Sequence, residues 1–408
     1  MDGERTLCLT KNETVVLKLI SMALNEGKQK FANPDTIDWQ AVFNELKDQA
    51  MAAVPIDIIK EMVPQPVFKN WVLYAERVMV YAENILYYQM EIMDLLDNKN
   101  IQAVVLKGAS VAYYYPNPLY RNTTDIDILV EMQSFNNALR LMLENGYELV
   151  HEIEINGHHA VLKKRGILYE LHKEPSGIAQ NKKGNTLRQF FRESIKESEE
   201  CSILGYRFKR FKRLQNGVVI LLHIVNHLDY GLGLRQLCDW MVFVKEEMTE
   251  DIWNREFAPL LRAVGLEKLA MVCTDICKRY LGLSQNVKWC NCVEAEIGDM
   301  LLTHILDSGN FGSKVSDSLN LVDLFAHTAA WSNESSIIRF MKNIQNTGIS
   351  QWDACQRFKA LRCIAWLYAL VIYTGRLFLG KRKLIVTKKF KKRLATQRRL
   401  HEKLSVYK

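Results

Sequence analysis

Ile101-Gln-Ala-Val-Val-Leu-Lys-Gly-Ala-Ser110, followed by Asp125-Ile-Asp-Ile-Leu-Val130, decides how this chain is read. The first segment is short, apolar and β-branched as far as Leu106, the composition of a buried strand. Gly108 then opens a short helix through Ala112 to Tyr115, which Pro116 and Pro118 end. The second segment reads as another strand. Strand, glycine turn, short helix and strand make a mixed α/β unit, and the rest of the chain is placed around it.

Upstream the pattern is helical. Trp39, Val42, Phe43 and Leu46 fall at helical spacing behind Asp38, a first-turn acid. Pro64 and Pro66 interrupt, and a long helix follows from about residue 68 to 98. Downstream, Ser134 is placed to cap a helix over 135–144 and Gly146 to end it. His158 to Lys163 and Ile167 to His172 flank a hairpin-like Lys-Arg-Gly turn, and Ser202 to Leu204 and Tyr206 to Phe211 flank Gly205. Residues 180–200 are polar and carry no clear period. After Gln215 the chain is helical almost to its end, with no proline beyond Pro259. The expected class is α+β, a small mixed-sheet core framed by helices. The expected divisions are 1–99 helical, 100–214 core, 215–375 helical and 376–408 a basic tail.

Composition narrows the class. Hydrophobic residues make up 48% and charged residues 25% of the 408, which excludes a disordered chain and leaves enough apolar surface for a core without disulfides. Nine cysteines, an odd number without a paired framework, point to reduced thiols and a cytoplasmic protein. Residues 1–11 are too polar for a signal peptide, and the longest apolar run, Cys363 to Tyr373, is too short to cross a bilayer. The net charge is +8. From Arg376 to Lys408, thirteen Lys/Arg face one acid, Glu402, giving +12 and leaving −4 for the remainder. The basic balance therefore belongs to the tail, and the body gives no global sign of nucleic-acid binding.

The chemistry concentrates at the opening stretch. In a strand, residues i and i+2 share a face, so Asp125 and Asp127 project together. Two neighbouring carboxylates repel unless a cation lies between them, and Mg²⁺ is the natural oxygen-bound partner. Gly108 allows close backbone approach ahead of a helix N-terminus, an anion site suited to a triphosphate. Ser110 adds a hydroxyl, and Lys107 and Arg121 are placed to neutralise phosphate. Asp-x-Asp at a strand start is equally a common turn or cap feature, and only its combination with the strand-glycine-helix unit favours catalysis.

The run Val104 to Pro116, then Tyr120-Arg-Asn-Thr-Thr-Asp-Ile-Asp-Ile-Leu-Val130, resembles the bacterial nucleotidyltransferase family proteins of the DNA polymerase β-like superfamily. The resemblance continues in Tyr169-Glu-Leu-His172, Leu222-His-Ile-Val-Asn-His227 and Gly233-Leu-Arg-Gln-Leu-Cys-Asp239, covering about residues 75 to 285. It implies a metal-dependent transfer of a nucleoside monophosphate from a nucleoside triphosphate to an unknown acceptor. Asp125 and Asp127 would be metal ligands and Glu170 the third carboxylate, holding two Mg²⁺ ions, with Mn²⁺ as the alternative. His172, His223, His227, Arg235 and Asp239 would contact the substrate. Two departures are visible: Thr124 where the family often has glycine, and Gly-Ala-Ser for the superfamily's Gly-Ser pair.

Other readings stand beside this one. A catalytically idle nucleotide-binding protein would keep the same fold. A metal-dependent glycosyltransferase also uses Asp-x-Asp, but that fold places a nucleotide-binding α/β block before the motif, where this chain has helices. His223 and His227 share a helix face, yet Ile224 stands where a zinc protease has its glutamate, and packing explains them equally well. Cys273, Cys277, Cys290 and Cys292 have poor spacing for zinc. The tail, with Phe390, Leu394 and Leu400 among its cations, is either a solvated helix or a surface for RNA or anionic membrane. Arg207-Phe-Lys-Arg-Phe-Lys-Arg213 raises the same question.

Overall fold

The computed structural model describes residues 9–314 apart from 26, 28–30, 32, 151–158, 193 and 229–230, and then 341, 344–345, 348–349, 352, 355, 359–378, 396–397 and 399–407. The chain forms two compact units, one of Met1–Ser313 with Leu404–Lys408, the other of Lys314–Lys403. In the second, the helix Ala365–Phe378 follows a 3₁₀ segment, and Trp352 stacks on Tyr368.

In the first unit, helices α1 (Lys11–Leu24), α2 (Trp39–Asp48) and α3 (Gln65–Asp97) precede the sheet. Asp38 is the N-cap of α2, its carboxylate accepting from the Ala41 N–H. The sheet comprises β1 (Ala103–Leu106), β2 (Asp125–Val130), β3 (Glu148–Leu149), β4 (His159–Lys164), β5 (Ile167–His172), β6 (Glu199–Ile203) and β7 (Tyr206–Arg210), in the order β3-β4-β5-β2-β1-β7-β6. It is mixed: β2 runs antiparallel to β1 and parallel to β5, and β7 lies parallel to β1. The expected α+β class is the observed one.

Both hairpins turn through two residues of positive φ, Arg165-Gly166 at +52° and +82° and Leu204-Gly205 at +52° and +85°. That pairing fits the mirror-image turns whose twist suits a two-residue hairpin. Ser134 does not cap the helix after it. It ends a 3₁₀ turn in helical conformation and makes no cap hydrogen bond to α5 (Phe135–Glu144). The patternless stretch 180–200 contains α6 (Lys182–Arg192), which buries Leu187 and Phe191 one turn apart and presents polar residues elsewhere.

Alternation along the central strands separates core from chemistry. Ile126, Ile128 and Val130 of β2, and Ile167, Tyr169 and Leu171 of β5, join Ile85, Ile92 and Leu96 of α3 and Phe135, Ala138 and Met142 of α5 in one apolar cluster. The intervening residues, Asp125 and Asp127 on β2 and Glu170 and His172 on β5, point to the opposite face. Over that face lie α4 (Gly108–Ala112), α7 (Arg213–His227) and α8 (Leu234–Glu247), with α9 (Glu250–Ile252), α10 (Ala258–Val264), α11 (Glu267–Tyr280) and α12 (Ala295–Ser308) completing the helical part. Among the described residues no helix is long and apolar enough to cross a membrane.

Two basic segments make contacts within the protein. In the run 207–213, Lys209 pairs with Asp97, Arg210 with Glu199, Lys212 with Glu197 and Arg213 with Glu256, so most of its charge is met within the protein. At the end of the tail, Leu400, Leu404, Val406 and Tyr407 are buried rather than solvated. Tyr407 donates from its N–H to the Gly265 carbonyl and from its hydroxyl to the Gly177 carbonyl. Phe390 and Leu394 lie outside the described residues.

Candidate active site

The register of two strands builds the site. Asp127 of β2 is directly opposite Glu170 of β5, and Leu106, the last residue of β1, is opposite Asp127 on its other side. In a parallel pair, residues in register present their side chains on the same face, which brings the two acids together. The same register aligns Leu129 with His172. His172 is fully buried, and its Nε2 lies 2.9 Å from Asp127 Oδ1 and 3.2 Å from Glu170 Oε2. One ligand atom from each of Asp127, Glu170 and His172 fits within 4.8 Å of the others, a grouping that could hold a metal ion.

Lys107 closes the group from β1. Its Nζ lies 2.8 Å from Asp127 Oδ1. The Lys107 backbone adopts φ +49°, ψ −141°, and Gly108 follows at φ +44°. A lysine in that region stores on the order of 1–3 kcal/mol of strain, tolerated where the surroundings fix it and commonest at functional sites. Ser110 helps to fix it: its N–H and its hydroxyl both donate to the Lys107 carbonyl, at 2.8 and 2.7 Å.

These residues line a cavity of about 280 Å³. Asp125, Asp127, Glu170, Lys107 and Gly108 form one side, with Arg121, Thr123, His159 and Ser176 around them. His223, Asn226 and His227 of α7, Arg235 of α8 and Phe311 complete it. The electrostatics follow from enclosure. Burial raises the Asp125 pKa, and the neighbouring Asp127 raises it further. Burial would raise Glu170 as well, but the hydrogen bond and charge of His172, with Lys107, bring it down to about 2. Burial works against the charge of His172 and Lys107, and in both the adjoining carboxylates outweigh it and raise the pKa. Burial, helped by neighbouring cations, holds His227 down to about 3 and His223 well below its usual value.

Four residues read from sequence as ligand contacts sit elsewhere or are otherwise engaged. Ser110 is fully buried behind the turn, bonded to Lys107, and does not line the cavity. Asp239 does not line it either. It takes the Arg121 Nε and Nη2 at 2.8 and 2.7 Å and the Tyr115 hydroxyl at 2.9 Å. Arg121, which also donates to Thr123, thus spends three N–H groups on the protein and is mainly a strut between the β1–β2 connection and α8. His172 lies behind the acids rather than among the lining residues. The helix after Gly108 has five residues, so its dipole is slight and the backbone turn matters more than the helix.

Sequence reasoning missed several lining residues. His159 is the cross-strand partner of His172, with ring centroids 5.1 Å apart, and strand pairing could have found it. Asn226 lies between the two histidines of α7, one residue from His227. Phe311 carried no signal, being 84 positions from His227, the histidine its ring meets. The cysteine set forms no metal group among the described residues.

A family model described as uncharacterised nucleotidyltransferase matches residues 33–282, more than half of the chain, and the chain belongs to this family. No curated protein matches the sequence.

Proposed function

We propose, with membership of the nucleotidyltransferase family as premise, that the chain transfers a nucleoside monophosphate from a nucleoside triphosphate to an acceptor hydroxyl or phosphate, using divalent cations. The observation that carries this is the in-register pairing of Asp127 with Glu170, with Asp125 on the same cavity wall. Oxygen donors so arranged suit Mg²⁺, with Mn²⁺ the alternative that the nearby imidazole favours. Asp125, Asp127 and Glu170 would hold the ions, which supply neutralisation of the triphosphate and of the departing pyrophosphate.

The chain's own residues have separate tasks. His172 orients Asp127 and Glu170 from behind. Lys107 donates one N–H to Asp127 and retains two more for phosphate oxygens at the cavity wall. Gly108 lets the backbone turn toward the cavity without a side chain in the way. In the transfer, a bond forms between the acceptor oxygen and the α-phosphorus, and the α–β phosphoanhydride bond breaks. Pyrophosphate departs with the electron pair. Where the acceptor is a hydroxyl, its proton passes to a carboxylate of the cavity wall. The test is Mg²⁺- or Mn²⁺-dependent triphosphate binding and pyrophosphate release by the full chain and by Asp127→Asn. Metal-dependent binding that survives in the wild type without any pyrophosphate release, across a panel of acceptors from cell extract, would favour the idle binding protein.

A further inference from the structure

The side of the cavity formed by α7, α8 and Phe311 contains no carboxylate among its lining residues. Arg235 there is 4% exposed, and its Nη1 donates to the Asn122 carbonyl at 2.7 Å. Its buried Nε has no hydrogen-bond partner among the described residues. The other two cations of the cavity are matched, Lys107 to Asp127 and Arg121 to Asp239, whereas Arg235 has no ion pair among the described residues. Asp125 and Asp239 act on it only through space, and the net effect of enclosure is to disfavour its charge, a cost that an arriving anion would relieve. Beside it, the buried Nδ1 of His227 also has no partner among the described residues, and Asn226 adds an amide at the cavity wall. A neutral imidazole can present N–H from that nitrogen without charge.

Phe311 lies over this corner and is held there. Its ring centroid is 4.8 Å from that of His227, and the Arg235 guanidinium sits 5.4 Å from the ring. Its φ is +53°, rare for a bulky side chain. The strain is held by clamping: the Phe311 N–H donates to the Gly231 carbonyl, Gln236 donates to Asn310, and a Cβ at Gly231 would meet Gly312 N at 2.1 Å. Phe311 itself is 52% exposed and lines the cavity.

We propose that Arg235, His227 and Asn226 form an anion subsite for a phosphate-class group of a substrate, within the cavity that the acids of β2 and β5 also line and beside Phe311. The forked guanidinium with neutral donors beside it suits a tetrahedral oxyanion. The assignment of that group to a substrate rests on the nucleotidyl-transfer reading. It comes either from the nucleotide's own triphosphate or from a phosphate on the acceptor.

The experiment is calorimetric titration of the full chain with pyrophosphate and inorganic phosphate in excess EDTA, so that the metal site makes no contribution. Wild type is expected to bind pyrophosphate. Arg235→Gln should weaken binding at least tenfold, Arg235→Lys should restore part of it, and Asn226→Asp, at a partly exposed position, should weaken it as well. Because this binding involves neither metal nor turnover, its loss and a failure of the transferase reading are read separately. A second titration, with a non-hydrolysable triphosphate and Mn²⁺, distinguishes the sources. Affinity lost in Arg235→Gln assigns the subsite to the triphosphate, and affinity kept assigns it to the acceptor. Equal pyrophosphate binding by wild type and a folded Arg235→Gln, or none by wild type at millimolar concentration, overturns the proposal.

Discussion

His172 Nε2 lies 2.9 Å from Asp127 Oδ1, with no solvent reaching the imidazole. A buried ring that holds a carboxylate fixes where that carboxylate can meet a metal. His172→Gln is therefore expected to lower Mn²⁺ affinity by about 10- to 100-fold while leaving the fold in place, the usual scale for a partner behind a ligand. A Mn²⁺ titration of wild type and variant checks it. Undiminished affinity would leave His172 a packing residue.

Arg121 and Asp239 form a buried, two-pronged ion pair. Removing one partner leaves an uncompensated buried charge, so Asp239→Asn should cost about 3–5 kcal/mol in urea unfolding. Arg121→Lys should cost stability too, because one ammonium cannot reproduce the fork. If Arg121→Lys instead loses triphosphate binding at full stability, the arginine acts on ligand rather than as a strut.

How far the sequence could be read follows from the range of each interaction. Strand alternation acts over two residues, so the shared face of Asp125 and Asp127 and the β-branched core of the central strands were legible. The hairpin around Arg165-Gly166 was legible for the same local reason. Partnership across the fold was not. Nothing in the sequence says that Arg121 is consumed by Asp239, 118 positions away. Nor does it say that Ser110 turns back to Lys107 instead of outward, since both choices satisfy a buried hydroxyl. The family motif pointed to Glu170, but its approach to Asp127 depends on the β2–β5 register, which local pattern does not set.

His227 titrates far from its ordinary range, held down to about 3 mainly by burial. Between that value and about 6.5 the unfolded chain binds a proton that the folded chain refuses. This contribution to stability is full above about pH 6.5 and is lost as pH falls toward the folded pKa, at up to about 1.4 kcal/mol per pH unit. Denaturation curves at pH 7 and pH 5 should therefore show a smaller loss for His227→Gln than for wild type. Equal losses would mean that the imidazole is already charged in the folded protein or exposed to water.

The end of the tail should behave as structure. Tyr407 bonds to Gly265 and Gly177, and Leu404 and Val406 are buried beside it in sequence. Gly177 is itself fixed: it sits at φ +87°, and a Cβ there would meet the Leu222 carbonyl at 2.4 Å. Its carbonyl is thus held rigidly at the start of the connection to α6, next to α7. Tyr407→Phe removes one buried hydroxyl donor and should cost about 1 kcal/mol. Truncation after Lys403 also strips the apolar contacts, at about 1.5–3 kcal/mol for each large side chain fully buried. It should therefore lower the melting temperature by several degrees. The question of a nucleic-acid or lipid partner is separable from this. Replacing Lys388, Lys389, Lys391, Lys392 and Arg393 by glutamine keeps residues 404–408 in place. If the tail serves an anionic surface, that variant should keep wild-type stability and lose binding to RNA or anionic vesicles at low salt, where counterion release is strongest. If it binds as wild type does, the charge has no such partner; if truncation after Lys403 leaves the melting temperature unchanged, the docking of Tyr407 contributes nothing to the fold.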